Sequence, residues 1–137
     1  PSKEIIFDYR SCNLSKDLIF LSASFQGKKK DKKKIEEEIK FLKNKKEIAQ
    51  PTKVKTGGST FKNPKKLTNK KVWELIKESV SLDSNFGDAA ISQKHSNFLI
   101  NKGNANYKDM KNLIDYIKKN VHSKTGIELE LEIIIVE

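Results

Sequence analysis

Gly57-Gly58-Ser59-Thr60-Phe61-Lys62-Asn63-Pro64 separates two helical patterns and sets a hydroxyl directly after two glycines. Without a Cβ, the backbone at such a pair can pass close to a neighbouring segment or to a ligand. From Gln50 to Asn69 the Gly, Pro, Lys and Asn content removes every helix or strand period, so the octapeptide is expected on a loop or short extended piece. Ligand chemistry concentrates on such connections. No lysine follows the glycines at phosphate-loop spacing, which excludes a triphosphate loop. Taken alone, Ser59 fits a turn residue or an anion nest equally well. As a nucleophile it would need His95 or His122 brought to it as a base.

On the carboxy-terminal side, Val72, Leu75 and Ile76, with Trp73 at the flank, predict a helix capped near Thr68 or Asn69. Two short extended pieces come next, Ala89 to Ser92 and Asn97 to Asn101. A third helix is the clearest element, with Tyr107, Met110, Leu113, Ile114, Ile117 and Val121 on one face, Asn106 as its cap and Gly126 at its end. On the amino-terminal side, residues 17 to 26 form an apolar run passing into alternation, which predicts a strand. After it, Ile35, Ile39, Leu42 and Ala49 predict a helix that packs by a narrow stripe, with Asp31 at its start. Helices and strands without parallel βαβ repeats predict an α+β layer structure, its compact carboxy-terminal domain starting near Gln50.

The last predicted strand, Ile127 to Val136, puts Ile127, Leu129, Leu131, Ile133 and Ile135 on one face. Glu128, Glu130 and Glu132 share the other face with Ile134 and Val136, so Glu132 stands where carboxylate gives way to hydrocarbon. A partly desolvated carboxylate there suits proton handling or the stabilisation of nearby positive charge, and a solvated outer face is the plain alternative.

The 137 residues suffice for one domain with a sizeable core. One cysteine, Cys12, excludes an internal disulfide, and no Cys or His cluster has metal-ligand spacing, so no metal is expected. No apolar run is long enough to span a bilayer and the first residues lack a signal-peptide core, so the chain reads as a soluble cytoplasmic protein without a membrane partner. A net charge of +10 raises nucleic acid as a partner. Against it, the lysine run from Lys28 to Lys34 sits where a solvated turn belongs, Arg10 is the sole arginine, and aromatics do not interleave with the basic residues. Nucleic acid is therefore not expected as a partner, and a basic RNA-associated module is kept as the alternative reading.

Four stretches then carry a resemblance. Phe7-Asp8-Tyr9-Arg10-Ser11 is similar to a Phe-x-Tyr-Arg-x-Ser motif, and Gly57 to Pro64 to Gly-Ser-x-Phe-Lys-Asn-Pro. Ser92-Gln93-Lys94-His95-Ser96-Asn97-Phe98 resembles Ser-x-Lys-His-x-Asn-Phe, and Gly126 to Ile133 resembles Gly-Ile-x-Leu-x-x-Glu-Ile. In this order they resemble the UDP-N-acetylenolpyruvoylglucosamine reductase family, flavin enzymes of bacterial cell-wall precursor synthesis. The resemblance implies a two-layer carboxy-terminal substrate-binding domain over 50–137, preceded over 1–49 by a strand and helix from the end of the FAD-binding region. The family's amino-terminal FAD-binding domain is the implied missing partner, and the chain alone is expected to be inactive and monomeric.

The implied reaction is the flavin-dependent reduction of UDP-N-acetylglucosamine enolpyruvate to UDP-N-acetylmuramate, with FAD and NADPH as cofactors and peptidoglycan synthesis, cell shape and division as its setting. By family position Ser59 is the proton donor, Arg10 binds the enolpyruvyl carboxylate and Glu132 assists at the same centre. Tyr9, Asn63 and His95 align with substrate-binding positions. The chain departs from the pattern between Trp73 and Gly87, where Ser81, Asp83 and Ser84 replace glycines. Ala49 stands where one branch of the family carries a substrate-contacting lysine, which implies a different grip on the nucleotide.

Overall fold

The computed structural model describes residues 2–15 and 17–136. Pro1 and Glu137, the outer ends of the expected 1–49 and 50–137 division, lie outside them. After a short 3-10 turn (Ser2–Glu4) comes a hairpin of β1 (Phe7–Asp8) and β2 (Ser11–Cys12), before the long helix α1 (Lys32–Ala49). Then come β3 (Lys55–Ser59), α2 (Val72–Ser79), β4 (Asn85–Phe86), β5 (Ala89–Ile91), β6 (Phe98–Asn101) and α3 (Tyr107–Thr125). Strands β3 to β6 form one antiparallel sheet in the order β3-β6-β5-β4. Helix α3 packs on β4 and β5, and α2 packs on α3. The expected α+β architecture is present.

The core is built by the helical and strand periodicities. Helix α3 buries Leu113, Ile114, Ile117 and Val121, and α2 buries Val72, Leu75 and Ile76, against Ala89 and Ile91 of β5 and Leu99 of β6. Tyr107, expected on the same face, is exposed because it stands at the first helical position, beyond the edge of that stripe. Asn106 accepts from the backbone N–H of Asp109 at 3.0 Å and the Asp109 carboxylate accepts from that of Asn106 at 3.0 Å, closing a reciprocal cap. At the other end Gly126 takes φ 72°, and its N–H reaches the His122 carbonyl at 2.8 Å.

Three expectations are corrected. Residues 17 to 26 form no strand, and Ile19, Leu21 and Phe25 are exposed. A strand needs a hydrogen-bonding neighbour, and this run has none among the described residues. Helix α1 forms, with Asp31 Oδ1 accepting from Lys34 N at 3.2 Å, but it buries no residue, so its apolar stripe packs on nothing described here. Helix α2 starts at Val72 rather than after Thr68 or Asn69. Its free N–H groups are met by Glu74, which accepts from Lys71 N at 2.7 Å, and by Asn63 Oδ1, which accepts from Val72 N at 2.9 Å.

The final segment, expected as a strand from Ile127 to Val136, forms no strand and bends at Glu132 and Ile133, with Leu129 buried and Glu128 and Glu130 exposed. It is stitched to residues 60–62 through one antiparallel bridge, Phe61 to Leu131, rather than a full ladder. Lys62 N donates to Glu130 O at 2.9 Å and Glu132 N to Thr60 O at 2.8 Å. The residues after the glycines are thus held between this segment and β6.

Candidate functional site

Ser59 ends β3 just past a bulge. Thr56 pairs with Ile100 and Ser59 with Phe98, so β3 carries one residue more than β6 across that interval. Gly58 absorbs it at φ 86°, and Thr56 Oγ1 pins the distortion by donating to Leu99 O at 2.7 Å and accepting from Gly58 N at 3.2 Å. Ser59 itself is half-buried, and its hydroxyl makes no hydrogen bond to any described residue. Such a group is available to a ligand.

Asn97 fixes the path of the chain beyond Ser59. Its carbonyl accepts from Thr60 N at 2.8 Å, its Oδ1 accepts from Phe61 N at 2.9 Å, and its Nδ2 donates to Phe61 O at 2.9 Å. A buried amide that satisfies both the N–H and the carbonyl of one residue acts as a short strand partner. The Phe61 to Leu131 bridge then places Glu132 beside residue 60, one position from Ser59.

Arg10 arrives from the β1–β2 hairpin. The base of that hairpin is held by Ile6 N donating to Asn13 Oδ1 at 2.9 Å and Asn13 N to Ile6 O at 3.2 Å. At its tip Arg10 adopts φ 58°, a conformation non-glycine residues rarely take and one that recurs at functional positions. Arg10 Nη2 lies 2.5 Å from Glu132 Oε1, with side chains 51% and 22% exposed respectively. The carboxylate is largely shielded while the guanidinium keeps donors open to the solvent side.

Tyr9, beside Arg10, is tied to the octapeptide. Its phenol oxygen accepts from Asn63 N at 3.1 Å and from Asn63 Nδ2 at 3.3 Å. The pKa of Tyr9 lies below the ordinary tyrosine value of 10.0. Burial is the largest single influence and pushes it up, but the two Asn63 N–H groups favour the phenolate and together prevail. The Arg10 guanidinium carbon is 5.6 Å from the Tyr9 ring centre, and Lys65 Nζ stands 4.0 Å over the same ring. A cavity of about 600 Å³ opens here, lined by Tyr9, Arg10, Lys62, Asn63, Lys65 and Glu128 among others.

Arg10, Glu132, Tyr9 and Asn63 are therefore brought together, with Ser59 one residue from the peptide that holds Glu132. His95 is elsewhere. It lines a second cavity of about 250 Å³ with Trp73, Lys77 and Lys94, its ring 4.9 Å from Phe98 and 6.3 Å from Trp73. Its Nδ1 accepts from Asn97 N at 3.3 Å, and burial lowers its pKa below 6.5. No histidine bonds to Ser59 among the described residues, so a serine–histidine hydrolase is not built here. The lysine run lies in an exposed irregular stretch and the first turn of α1, where Lys30 pairs with Glu38 and Lys32 with Glu36. Among the described residues no group of His, Cys, Asp and Glu has metal-binding geometry, and no helix is long and apolar enough to cross a membrane.

A family model described as UDP-N-acetylenolpyruvoylglucosamine reductase, C-terminal domain, matches residues 50–136. The chain belongs to the UDP-N-acetylenolpyruvoylglucosamine reductase family. It is 60% identical over 137 residues to the UDP-N-acetylenolpyruvoylglucosamine reductase of Pelagibacter ubique, covering 100% of this chain and 45% of that protein. It is 42% identical to the reductase of Rickettsia felis over 132 residues, covering 96% of this chain and 44% of that protein. The crystal structure of the Thermus caldophilus reductase superposes with a TM-score of 0.59 at 31% identity, covering 77% of this chain and 35% of that one. The chain thus spans less than half the length of the curated relatives it matches.

Two contributions to the site escape a reading of the sequence. Asn97 sits within one of the matching motifs without an assigned role, and its signal is an amide directly before the apolar run Phe98-Leu99-Ile100, a polar group that must find partners when buried. Lys62 and Lys65 surround Asn63-Pro64 and line the larger cavity, but a lysine-rich chain offers no contrast by which to single them out.

Proposed function

We infer that the protein to which this chain belongs reduces UDP-N-acetylglucosamine enolpyruvate to UDP-N-acetylmuramate with FAD and NADPH. In this reading it is a cytoplasmic, monomeric enzyme of peptidoglycan precursor synthesis, serving cell shape and division. Residues 50–137 are its substrate-binding part and 1–49 the end of its flavin-binding region. The absence of any buried residue on α1, against a dense core after residue 60, supports that division.

The observation that carries the reading is the Arg10–Glu132 pair, with Glu132 bonded to the residue after a serine whose hydroxyl makes no hydrogen bond to any described residue. The described residues do not build a flavin cradle. Gly57 and Gly58 lie inside β3 rather than in a turn before a helix, and Gly57 passes close to Ile133, which a Cβ would meet at 3.7 Å. They offer instead the acceptor side of a hydride transfer. When bound, the flavin supplies hydride to one carbon of the enolpyruvyl double bond.

The remaining work falls to this chain. Open N–H groups of Arg10 bind the enolpyruvyl carboxylate as a fork and hold the negative charge that spreads onto it. Glu132 orients that guanidinium from its shielded side. Ser59 Oγ gives its proton to the carbon next to the carboxylate and regains one from solvent. Tyr9 and Asn63 stand beside Arg10 and complete the wall of the substrate cavity. The test is NADPH oxidation by the full-length protein, which should require the enolpyruvyl UDP-sugar. A flavin-loaded protein that oxidises NADPH no faster with this substrate than without it would overturn the assignment.

A further inference from the structure

Ser59 owes its side of the sheet to one extra residue. Thr56 pairs with Ile100 and Ser59 with Phe98, and residues opposite one another in a ladder share a side of the sheet. An unbroken strand would place positions 56 and 59 on opposite sides, whereas Ile100 and Phe98, two apart, share one. The bulge therefore carries the Ser59 side chain to the side on which Thr56 stands.

The bulge is held at both ends. Beyond Ser59, Thr60 N donates to Asn97 O at 2.8 Å and Glu132 N to Thr60 O at 2.8 Å. Before it stand Gly57 and Gly58, which bring the widest backbone freedom and no side chain of their own. Among the described residues the side-chain bonds that fix this stretch are those of Thr56 Oγ1, which donates to Leu99 O at 2.7 Å and accepts from Gly58 N at 3.2 Å. A single hydroxyl thus clasps the partner strand with its proton and the bulged peptide with its oxygen. Gly58 takes φ 86°, where a residue with a Cβ is strained, although a Cβ there would meet nothing within 4 Å.

We propose that Thr56 is a positioning residue for the reaction: by locking the bulge it fixes the Ser59 hydroxyl relative to the Arg10–Glu132 pair, and it acts through Ser59 rather than on the ligand. This rests on the reductase reading, in which Ser59 delivers a proton. The Ser59 hydroxyl makes no hydrogen bond to any described residue, so the backbone sets its place. Loss of the Thr56 clasp lets the two glycines sample other conformations, and the hydroxyl then meets the reacting carbon less often. The cost falls on kcat and not on substrate affinity.

The full-length protein is assayed for substrate-dependent NADPH oxidation as parent, Thr56→Val and Thr56→Ser, each with Ser59 intact and with Ser59→Ala. Affinity for the enolpyruvyl UDP-sugar is titrated separately, without NADPH. Valine keeps the branched shape and removes the hydroxyl, while serine keeps the hydroxyl. Thr56→Val is expected to lower kcat by about 10–100-fold at unchanged substrate affinity, Thr56→Ser to recover most of it, and Thr56→Val to have no further effect once Ser59 is replaced. Gly58→Ala disturbs the same bulge through its φ and is expected to give the same pattern, which keeps the test open if Thr56→Val does not fold. Parental kcat in these variants overturns the proposal, as does a loss of equal size in both Ser59 backgrounds or a loss of substrate affinity alone. A parent without substrate-dependent oxidation overturns the reductase reading, and the proposal with it.

Discussion

The guanidinium of Arg10 and the carboxylate of Glu132 stand 2.5 Å apart, one at the tip of the first hairpin and the other on the last extended segment. Neither element has a long ladder to hold it, so the pair ties the first hairpin to the last segment of the chain. Arg10→Lys keeps the charge but loses the fork, and Glu132→Gln removes the group that orients it. Each is expected to lower kcat of the full-length protein by about a hundredfold, in the range of other losses of transition-state charge stabilisation. Steady-state kinetics with the enolpyruvyl UDP-sugar measure this; a change in KM alone would assign the pair to uniform binding.

Tyr9 reports on its tie to Asn63. Because the two Asn63 N–H groups favour the phenolate over the upward push of burial, Tyr9 should ionise below the ordinary tyrosine value. In Asn63→Ala only the backbone donor remains, and the Tyr9 transition should move to higher pH. Ultraviolet difference titration, with Tyr9→Phe to assign the transition, reads this directly. A Tyr9 titration unmoved by the substitution would mean that the tie does not exist in solution.

Asn97 is predicted to be the polar residue on which the sheet edge depends. Asn97→Ala leaves the Phe61 N–H and carbonyl without their partner inside a buried strip, and should cost about 2–4 kcal/mol on the scale of unsatisfied buried donors and acceptors. Urea unfolding of parent and variant gives the number. A midpoint unchanged by the substitution would show that water replaces the amide without penalty.

How far the sequence can be read depends on where each signal originates. The α3 stripe with its Asn106 cap and Gly126 stop is a local pattern, and the structure reproduces it almost to the residue. Glu132 at the boundary between carboxylate and hydrocarbon is likewise visible in the alternation, and it is largely shielded. Residues 17 to 26 depart from expectation because a strand is a property of a pair and the sequence displays only one member. The start of α2 is displaced from its expected place since its capping groups come from Asn63, nine positions upstream, and from Glu74, rather than from a polar residue just before the helix. The Arg10–Glu132 contact carries no local trace at all; the motif resemblance suggests a common centre, and only the fold supplies the distance.

His95 should make the domain sensitive to acid. Burial lowers its pKa, so the unfolded chain takes up a proton at higher pH than the folded one does. Stability contributed by the neutral folded form is intact above the unfolded value of about 6.5 and declines as pH falls from there toward the depressed folded value. His95→Gln removes that dependence. Urea midpoints measured at neutral and mildly acidic pH should converge for the variant relative to the parent, and parallel curves would place the acid sensitivity in another group.

In the proposed reaction Ser59 delivers the proton that completes reduction, from a hydroxyl just past the bulge at Gly58 that makes no hydrogen bond to any described residue. The decisive experiment is substrate-dependent NADPH oxidation by the full-length protein, parent against Ser59→Ala, with UDP-sugar binding measured in parallel. The parent should turn over, and the variant should bind the substrate normally but lose kcat by about 10²–10⁴, the range expected when a positioned proton donor is removed. A Ser59→Ala protein that turns over at the parent's rate would remove Ser59 from the proton transfer and refute the mechanism.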